Sequence, residues 1–160
     1  MKILGIDPGL QVCGYACLEI SEGAEKLIEA GVFRTASGST IETKLNRIAE
    51  DVESLLERFR PDVVAVEELY SHYAHPKTAI LMGHARGVIL QKSAEAAIEV
   101  RSFSATRIKK SLTGNGRASK GQVQRTIQTI LSLAQMPEPN DVADAIAVAL
   151  CCANSRVAVV

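Results

Sequence analysis

Asp7 closes a short apolar run, KILGID, and Pro8 and Gly9 follow it directly. Proline biases the residue before it to extended backbone, so Asp7 finishes a strand and presents its carboxylate beside a forced turn. Glu67 closes VVAVE in the same way, and Asp141 and Asp144 open the apolar stretch DVADAIAVAL. Those two aspartates are three apart and share one helix face, in a first turn where the helix dipole favours negative charge. Simple charge complementarity at a helix start is the competing reading of the pair. Against it, the neighbours of Asp144 are apolar: Val142, Ala143, Ala145, Ile146 and Ala147.

Four carboxylates brought to one point in a low dielectric repel strongly. They must protonate or bind cations. An all-oxygen set favours Mg²⁺, with Mn²⁺ as a substitute, over zinc. Two such ions about 4 Å apart clamp a phosphate, activate water and steady the leaving oxygen. The expected chemistry is therefore phosphodiester hydrolysis by Asp7, Glu67, Asp141 and Asp144. No Ser–His or Cys–His arrangement competes for the role.

The charge distribution supplies the substrate class. The formal net charge is zero, yet no Asp or Glu occurs from Val100 to Pro137, and that segment carries Arg101, Arg107, Lys109, Lys110, Arg117, Lys120 and Arg125. A solvated helical face is the ordinary reading of a charge run, but balanced pairing inside this segment is impossible. A basic segment beside clustered acids suits an enzyme that holds a polyanion over metal ions. Arg107, Lys109, Lys110, Arg117 and Lys120 flank the glycine loop TGNGR and are placed for phosphate contact. Tyr70, three residues after Glu67, is suited to stack on an unpaired base or to pack internally.

The elements that must hold these residues fit one domain of 160 residues, 47% apolar and 22% charged. Residues 2–7, 14–20 and 25–34 read as three strands; Pro8, Gly9 and Gly14 punctuate a tight connection between the first two, and the short Ser21–Gly23 link points to an antiparallel meander. Apolar residues recur at three and four from Ile41 to Phe59 and predict a helix, stopped by Pro61. VVAVE is the continuous apolar run of a strand covered on both faces. A helix from Pro76 to about Ala97, a strand over 98–103 and a short helix capped by Ser104 follow. Ser119 and Gln122 form a capping-box pattern before a helix over 119–134. Pro137 and Pro139 precede a last helix over about 140–154, with Asn140 as its cap. The expected domain covers 1–155, with 156–160 as a tail. Gly83 and Gly87 lie on one helix face and permit close approach of another backbone, either the chain's own sheet or a second copy's helix.

Cys13, Cys17, Cys151 and Cys152 form no CxxC pair and read as buried reduced thiols, while His72, His75 and His84 lack a zinc spacing. No apolar run reaches the roughly 18 residues of a membrane span. The N-terminus enters a strand without a signal-peptide pattern. A cytoplasmic location is expected.

GIDPG at 5–9, AVEELY at 65–70, GHARG at 83–87, SATRIKKSLTGNGRASKGQVQ at 104–124 and NDVADAIAVAL at 140–150 occur in order. Together they resemble the RuvC family of bacterial Holliday-junction resolvases, over residues 2 to about 153. The resemblance implies an RNase H-like α/β fold, with a mixed five-stranded sheet flanked by helices. It also implies a homodimer that makes paired symmetric nicks in a four-way DNA junction. Asp7, Glu67, Asp141 and Asp144 fall on the family's metal-binding carboxylates, Lys109 and Lys120 on its DNA-contacting lysines, and Tyr70 on its aromatic position near the junction centre. Gly83 and Gly87 fall on the helix used for dimer contact. A branch-migration motor and a junction-binding protein, of the RuvB and RuvA type, are the implied partners. One departure stands out: some members carry a basic C-terminal tail, and here Arg156 is followed only by VAVV.

Three alternatives remain at this level. They are an RNase H-like hydrolase acting on RNA, a phosphotransferase of the actin and sugar-kinase type, and a non-catalytic junction-binding module. The second needs another lobe, for which 160 residues are too few.

Overall fold

Alternation along the first strand organises the molecule. The computed structural model describes residues 1–69 and 76–157. Strand β1 (Lys2–Asp7) runs antiparallel to β2 (Val12–Ser21), which pairs with β3 (Ala24–Arg34). Glu22 and Gly23 both have positive φ, 51° and 79°. Such a turn matches the twist of a tight hairpin, so the chain returns at once and the meander forms. Helix α1 (Ile41–Phe59) carries the chain over one face to β4 (Val63–Glu67), parallel to β1. Helix α2 (Pro76–Glu95) returns it to β5 (Glu99–Phe103), parallel to β4. The sheet order is β3-β2-β1-β4-β5. Helices α3 (Ala105–Thr113), α4 (Lys120–Ile130) and α5 (Asn140–Val157) complete the chain.

Successive strand residues point to opposite faces, and each face has its own core. Leu4, Ile6, Val64 and Val66 pack with Ile48, Val52 and Ile89 of α1 and α2. Ile3, Val63 and Ala65 pack on the other side with α5, whose residues from Val142 to Ala153 are almost all buried. By the same alternation Asp7 and Glu67 fall on the α5 side. The register Ile3↔Val63 through Ile6↔Val66, carried one residue further, sets them side by side.

Helix α5 lies unusually close to the sheet. A Cβ on Gly5 would stand 2.2 Å from the Ala145 carbonyl oxygen, and one on Gly14 would stand 1.9 Å from that of Asp141. Gly14 is the sheet partner of Asp7. The missing side chains on β1 and β2 therefore let the first turn of α5 settle directly beside Asp7.

Several boundaries differ from the sequence expectation. Strand β2 starts at Val12, because Gly14 is a strand residue that makes room for α5 and not a turn residue. Helix α2 ends at Glu95, since Ala97 adopts φ 55°. Helix α4 ends at Ile130, short of 134. Ser132 adopts φ 50°, and the Leu133 and Ser132 N–H groups donate to the Gln128 and Thr129 carbonyls, a Schellman closure. Asn140 does not cap α5: its Oδ1 accepts from Gln124 Nε2 at 3.2 Å, and the Pro139 carbonyl accepts the N–H groups of Val142 and Ala143 instead. Helix α5 continues to Val157, past the expected end at 154. The Ser104 cap, the Ser119–Gln122 capping box and the four buried free thiols are as expected. Among the described residues no helix is long and apolar enough to cross a membrane.

Because backbone lies where a methyl would go, Gly14→Ala is expected to destabilise the protein by about 3 kcal/mol. That lowers Tm by about 6–12 °C. Gly38→Ala, where a Cβ meets nothing within 4 Å, serves as the control and should stay within about 0.5 kcal/mol of the parent. Urea unfolding of both variants decides the matter.

Candidate active site

Asp7, Glu67, Asp141 and Asp144 line one cavity of about 360 Å³ at the carboxyl ends of β1 and β4. Ligands of open α/β sheets gather at such strand ends. The turn behind Asp7 is held by Cys13, whose buried thiol donates to the Gly9 carbonyl at 2.8 Å and accepts from the Gly9 N–H at 3.4 Å. Burial pushes that thiol up to about 12, so it stays protonated and serves as a hydrogen-bonding post. Thr35 fastens the other end of the turn, its hydroxyl donating to the Leu10 carbonyl at 2.7 Å.

The electrostatics follow from enclosure and like charge. Burial, then the charges of Asp144, Glu67 and Asp141, push Asp7 up to about 8, against the opposing pull of Lys120. Burial and Asp144 raise Glu67, opposed by Lys109 and Lys120. Burial raises Asp144, while Lys120 draws it down. Lys120 Nζ stands 3.5 Å from Asp144 Oδ2. A smaller cavity of about 170 Å³ adjoins the first, and Glu67, Asp144 and Lys120 line both, with Lys109 added in the second.

The acids thus share a wall, but the expected convergence on a single point is not what their side chains do. Among the described residues no group of three or more Asp, Glu, His or Cys side chains is drawn together as an ion cage. The Lys120 ammonium provides positive charge beside them, against Asp144. In kind the donors suit a hard divalent cation: all are carboxylate oxygens, and three of the four acids carry raised proton affinity that such a charge would relieve.

Lys109 and Lys120 are the basic residues brought to the acids. Arg107 lies over the Phe103 ring at 5.1 Å, and Lys110 and Arg117 are exposed outside both cavities. Tyr70 lies outside the described residues. Gly83 faces Leu69, with a Cβ position 3.5 Å from its Cδ1, and Gly87 opens onto free space. Two residues without a functional signal of their own in the sequence also act here: Cys13, through the Gly9 turn, and Arg86, whose Nε donates to the Glu67 carbonyl at 3.2 Å. The trace of Arg86 is its place between the two glycines of GHARG. A larger cavity of about 450 Å³ lies between α1 and α2 near Pro61 and Ile98, at the opposite end of the sheet. Three glutamates line it, Glu53, Glu57 and Glu95, and Lys92 pairs with Glu53 and Glu95.

A three-stranded meander extended by two parallel strands, with acids at the central strand ends and on a crossing helix, defines an RNase H-like nuclease fold. Residues 3–152 match the family model for crossover junction endodeoxyribonuclease RuvC, and the chain belongs to the RuvC family. It is 46% identical over 149 residues to the crossover junction endodeoxyribonuclease RuvC of Rhodopirellula baltica, covering 93% of this chain and 84% of the relative. It is 41% identical over 155 residues to that of Heliobacterium modesticaldum, covering 97% and 95%. The solved Thermus thermophilus RuvC structure superposes with a TM-score of 0.91 at 32% identity, covering 99% of this chain and 97% of that one. The same protein in complex with Holliday junction substrate gives 0.90 at 29% identity. The yeast mitochondrial Holliday junction resolvase Ydc2 shares the fold, with a TM-score of 0.73 at 13% identity.

Because the folded pKa of Asp7 is raised, this group's stabilising contribution is full below its ordinary value of 3.8 and is lost as pH rises through about 8. Protein kept in EDTA should therefore lose stability between about pH 4 and pH 8. Asp7→Asn should melt about 5 °C above the parent at pH 9 and close to it at pH 4. Equal Tm values at both pH values would mean that burial and the neighbouring acids do not raise Asp7.

Proposed function

We propose that this chain is a Holliday junction resolvase in which Asp7, Glu67, Asp141 and Asp144 hold divalent metal for phosphodiester hydrolysis. One observation carries the reading: two parallel strand ends and the first two turns of α5 bring four carboxylates to one cavity, with Lys120 in its wall and Lys109 in the adjoining one. Membership of a family of crossover junction endodeoxyribonucleases supports the substrate. The carboxylates would hold Mg²⁺, or Mn²⁺ in its place, as two ions per site. Bound there, the metal would supply the positive charge that activates water and steadies the phosphate in its transition state.

The chain's own residues do the rest. Asp7 and Glu67 are fixed by strand ends, and Asp141 and Asp144 by a helix seated on glycine, so the ligands are preorganised. Lys109 and Lys120 take phosphate oxygens from the adjoining cavity that both line. Arg107, Lys110 and Arg117, with Tyr70 near the junction centre, extend the DNA surface beyond the cavity. A homodimer, joined along α2 at Gly83 and Gly87, would present two such sites and make paired symmetric nicks. RuvA- and RuvB-type proteins are its expected partners in recombination and repair in the cytoplasm.

Asp7→Asn should bind a four-way junction as the parent does and cut it about 10³-fold more slowly, a loss of about 4 kcal/mol of transition-state stabilisation. Normal cutting by that variant would remove Asp7 from the site. Linear duplex and RNA–DNA hybrid substrates, assayed alongside, separate a resolvase from a general RNase H-like hydrolase. For the dimer, Gly87→Ala is informative because its Cβ meets nothing within the chain. In an isolated protomer it should stabilise α2 by about 0.5–1 kcal/mol. Weakened self-association in sedimentation would instead report a second copy against this face, and unchanged self-association would argue against it.

A further inference from the structure

Arg86 makes two directed contacts that neither hydrolysis nor DNA binding has so far used. It lies on α2 and is half-buried; its Nε donates to the Glu67 backbone carbonyl at 3.2 Å and its Nη2 to the Ser102 hydroxyl at 2.7 Å. One guanidinium thus ties α2 to the ends of both β4 and β5.

The sheet explains why this carbonyl needs a donor. Glu67 is the last residue of β4, and on one side the Glu68 N–H continues the ladder to the Phe103 carbonyl at 2.9 Å. On the other side β1 has ended at Asp7, and Pro8 has no N–H with which to extend the β1–β4 ladder. A strand-end carbonyl beside a partly closed cavity is costly to leave unpaired. The planar fork of an arginine can serve that carbonyl and a second acceptor at once, which a lysine ammonium does less rigidly.

We infer that Arg86 is a positioning residue for Glu67, fixing the backbone from which that carboxylate projects and linking it to α2. The inference rests on the reading of Glu67 as a site carboxylate. Arg86 acts on the main chain; the charges that bear on the Glu67 carboxylate are those of Asp144, Lys109 and Lys120. Its loss therefore alters where the carboxylate sits and leaves the local charge balance alone. Residues that orient a ligand in this way are typically worth about 10–100-fold in metal affinity or activity.

The test compares full-length Arg86→Met, Arg86→Lys, Ser102→Ala and Glu67→Gln. Junction affinity is measured without divalent ions, single-turnover cleavage is measured across an Mg²⁺ titration, and Tm is measured in EDTA. Arg86→Met should bind junction within about 2-fold of the parent, cut about 10–100-fold more slowly at limiting Mg²⁺, and need more Mg²⁺ for half its maximal rate. Arg86→Lys should recover part of that loss, and Ser102→Ala should show a smaller shift in the same direction. If Arg86→Met does not fold, the Mg²⁺ shift in Ser102→Ala and Arg86→Lys decides. A rate loss that vanishes when the assay is cooled by the Tm difference, with unchanged Mg²⁺ dependence, overturns the inference. Normal cutting by Glu67→Gln sinks the assignment of Glu67 itself. An inactive Glu67→Gln beside a fully active Arg86→Met sinks the role of Arg86 alone.

Discussion

The close approach of the α5 backbone to the glycines of β1 and β2 is the constraint from which the site follows. With any side chain at Gly14, the Asp141 carbonyl could not lie where it does. The helix would lift from the sheet, and its two aspartates would leave the neighbourhood of Asp7. At the contact itself α5 presents small residues, Ala145 and Ala149, to Gly5. Apolar packing on the two faces of the sheet thus does more than stabilise the chain. It sets the distance between strand-borne and helix-borne acids.

That geometry concentrates negative charge in a half-enclosed space, and the fold manages the repulsion in two ways. Asp7, Glu67 and Asp144 retain protons more readily than ordinary carboxylates, and Lys120 places an ammonium against Asp144. Lys120 stands in the first turn of α4, and Gln124, one turn further along the same helix, donates to Asn140 at the start of α5. A single short helix therefore supplies both a counter-charge for the site and a brace for the segment that carries its last two acids.

Much of this was legible in the sequence because the responsible patterns are local. The Ile41–Phe59 periodicity, the VVAVE run and the Ser119–Gln122 box are each contained within a few turns, and the structure reproduces them. The four acids could be picked out because each interrupts an apolar run at its end. What could not be read depends on partners distant in the chain. Gly14 looks like a turn residue until α5 is placed over it. Asn140 looks like a cap until Gln124 claims its side chain. Helix α4 looks four residues longer because its apolar spacing continues into LSLA, while a left-handed Ser132 has already closed it. The carboxylates could be grouped in the sequence, but the pairing of Lys120 with Asp144 depends on three-dimensional placement. The contact of Arg86 with the Glu67 carbonyl joins residues 19 apart across a helix and a strand, and no spacing rule points to it.

The order in which the sheet and helices occur along the chain has a consequence for biogenesis. Asp7 is made first, Glu67 after the first crossover, and Asp141 and Asp144 only with the helix that fills the space between the sheet and α3. A chain stopped before α5 has neither the complete acid set nor the layer that would hold it. The cavity that gathers the four acids is therefore completed only when α5 packs onto the sheet.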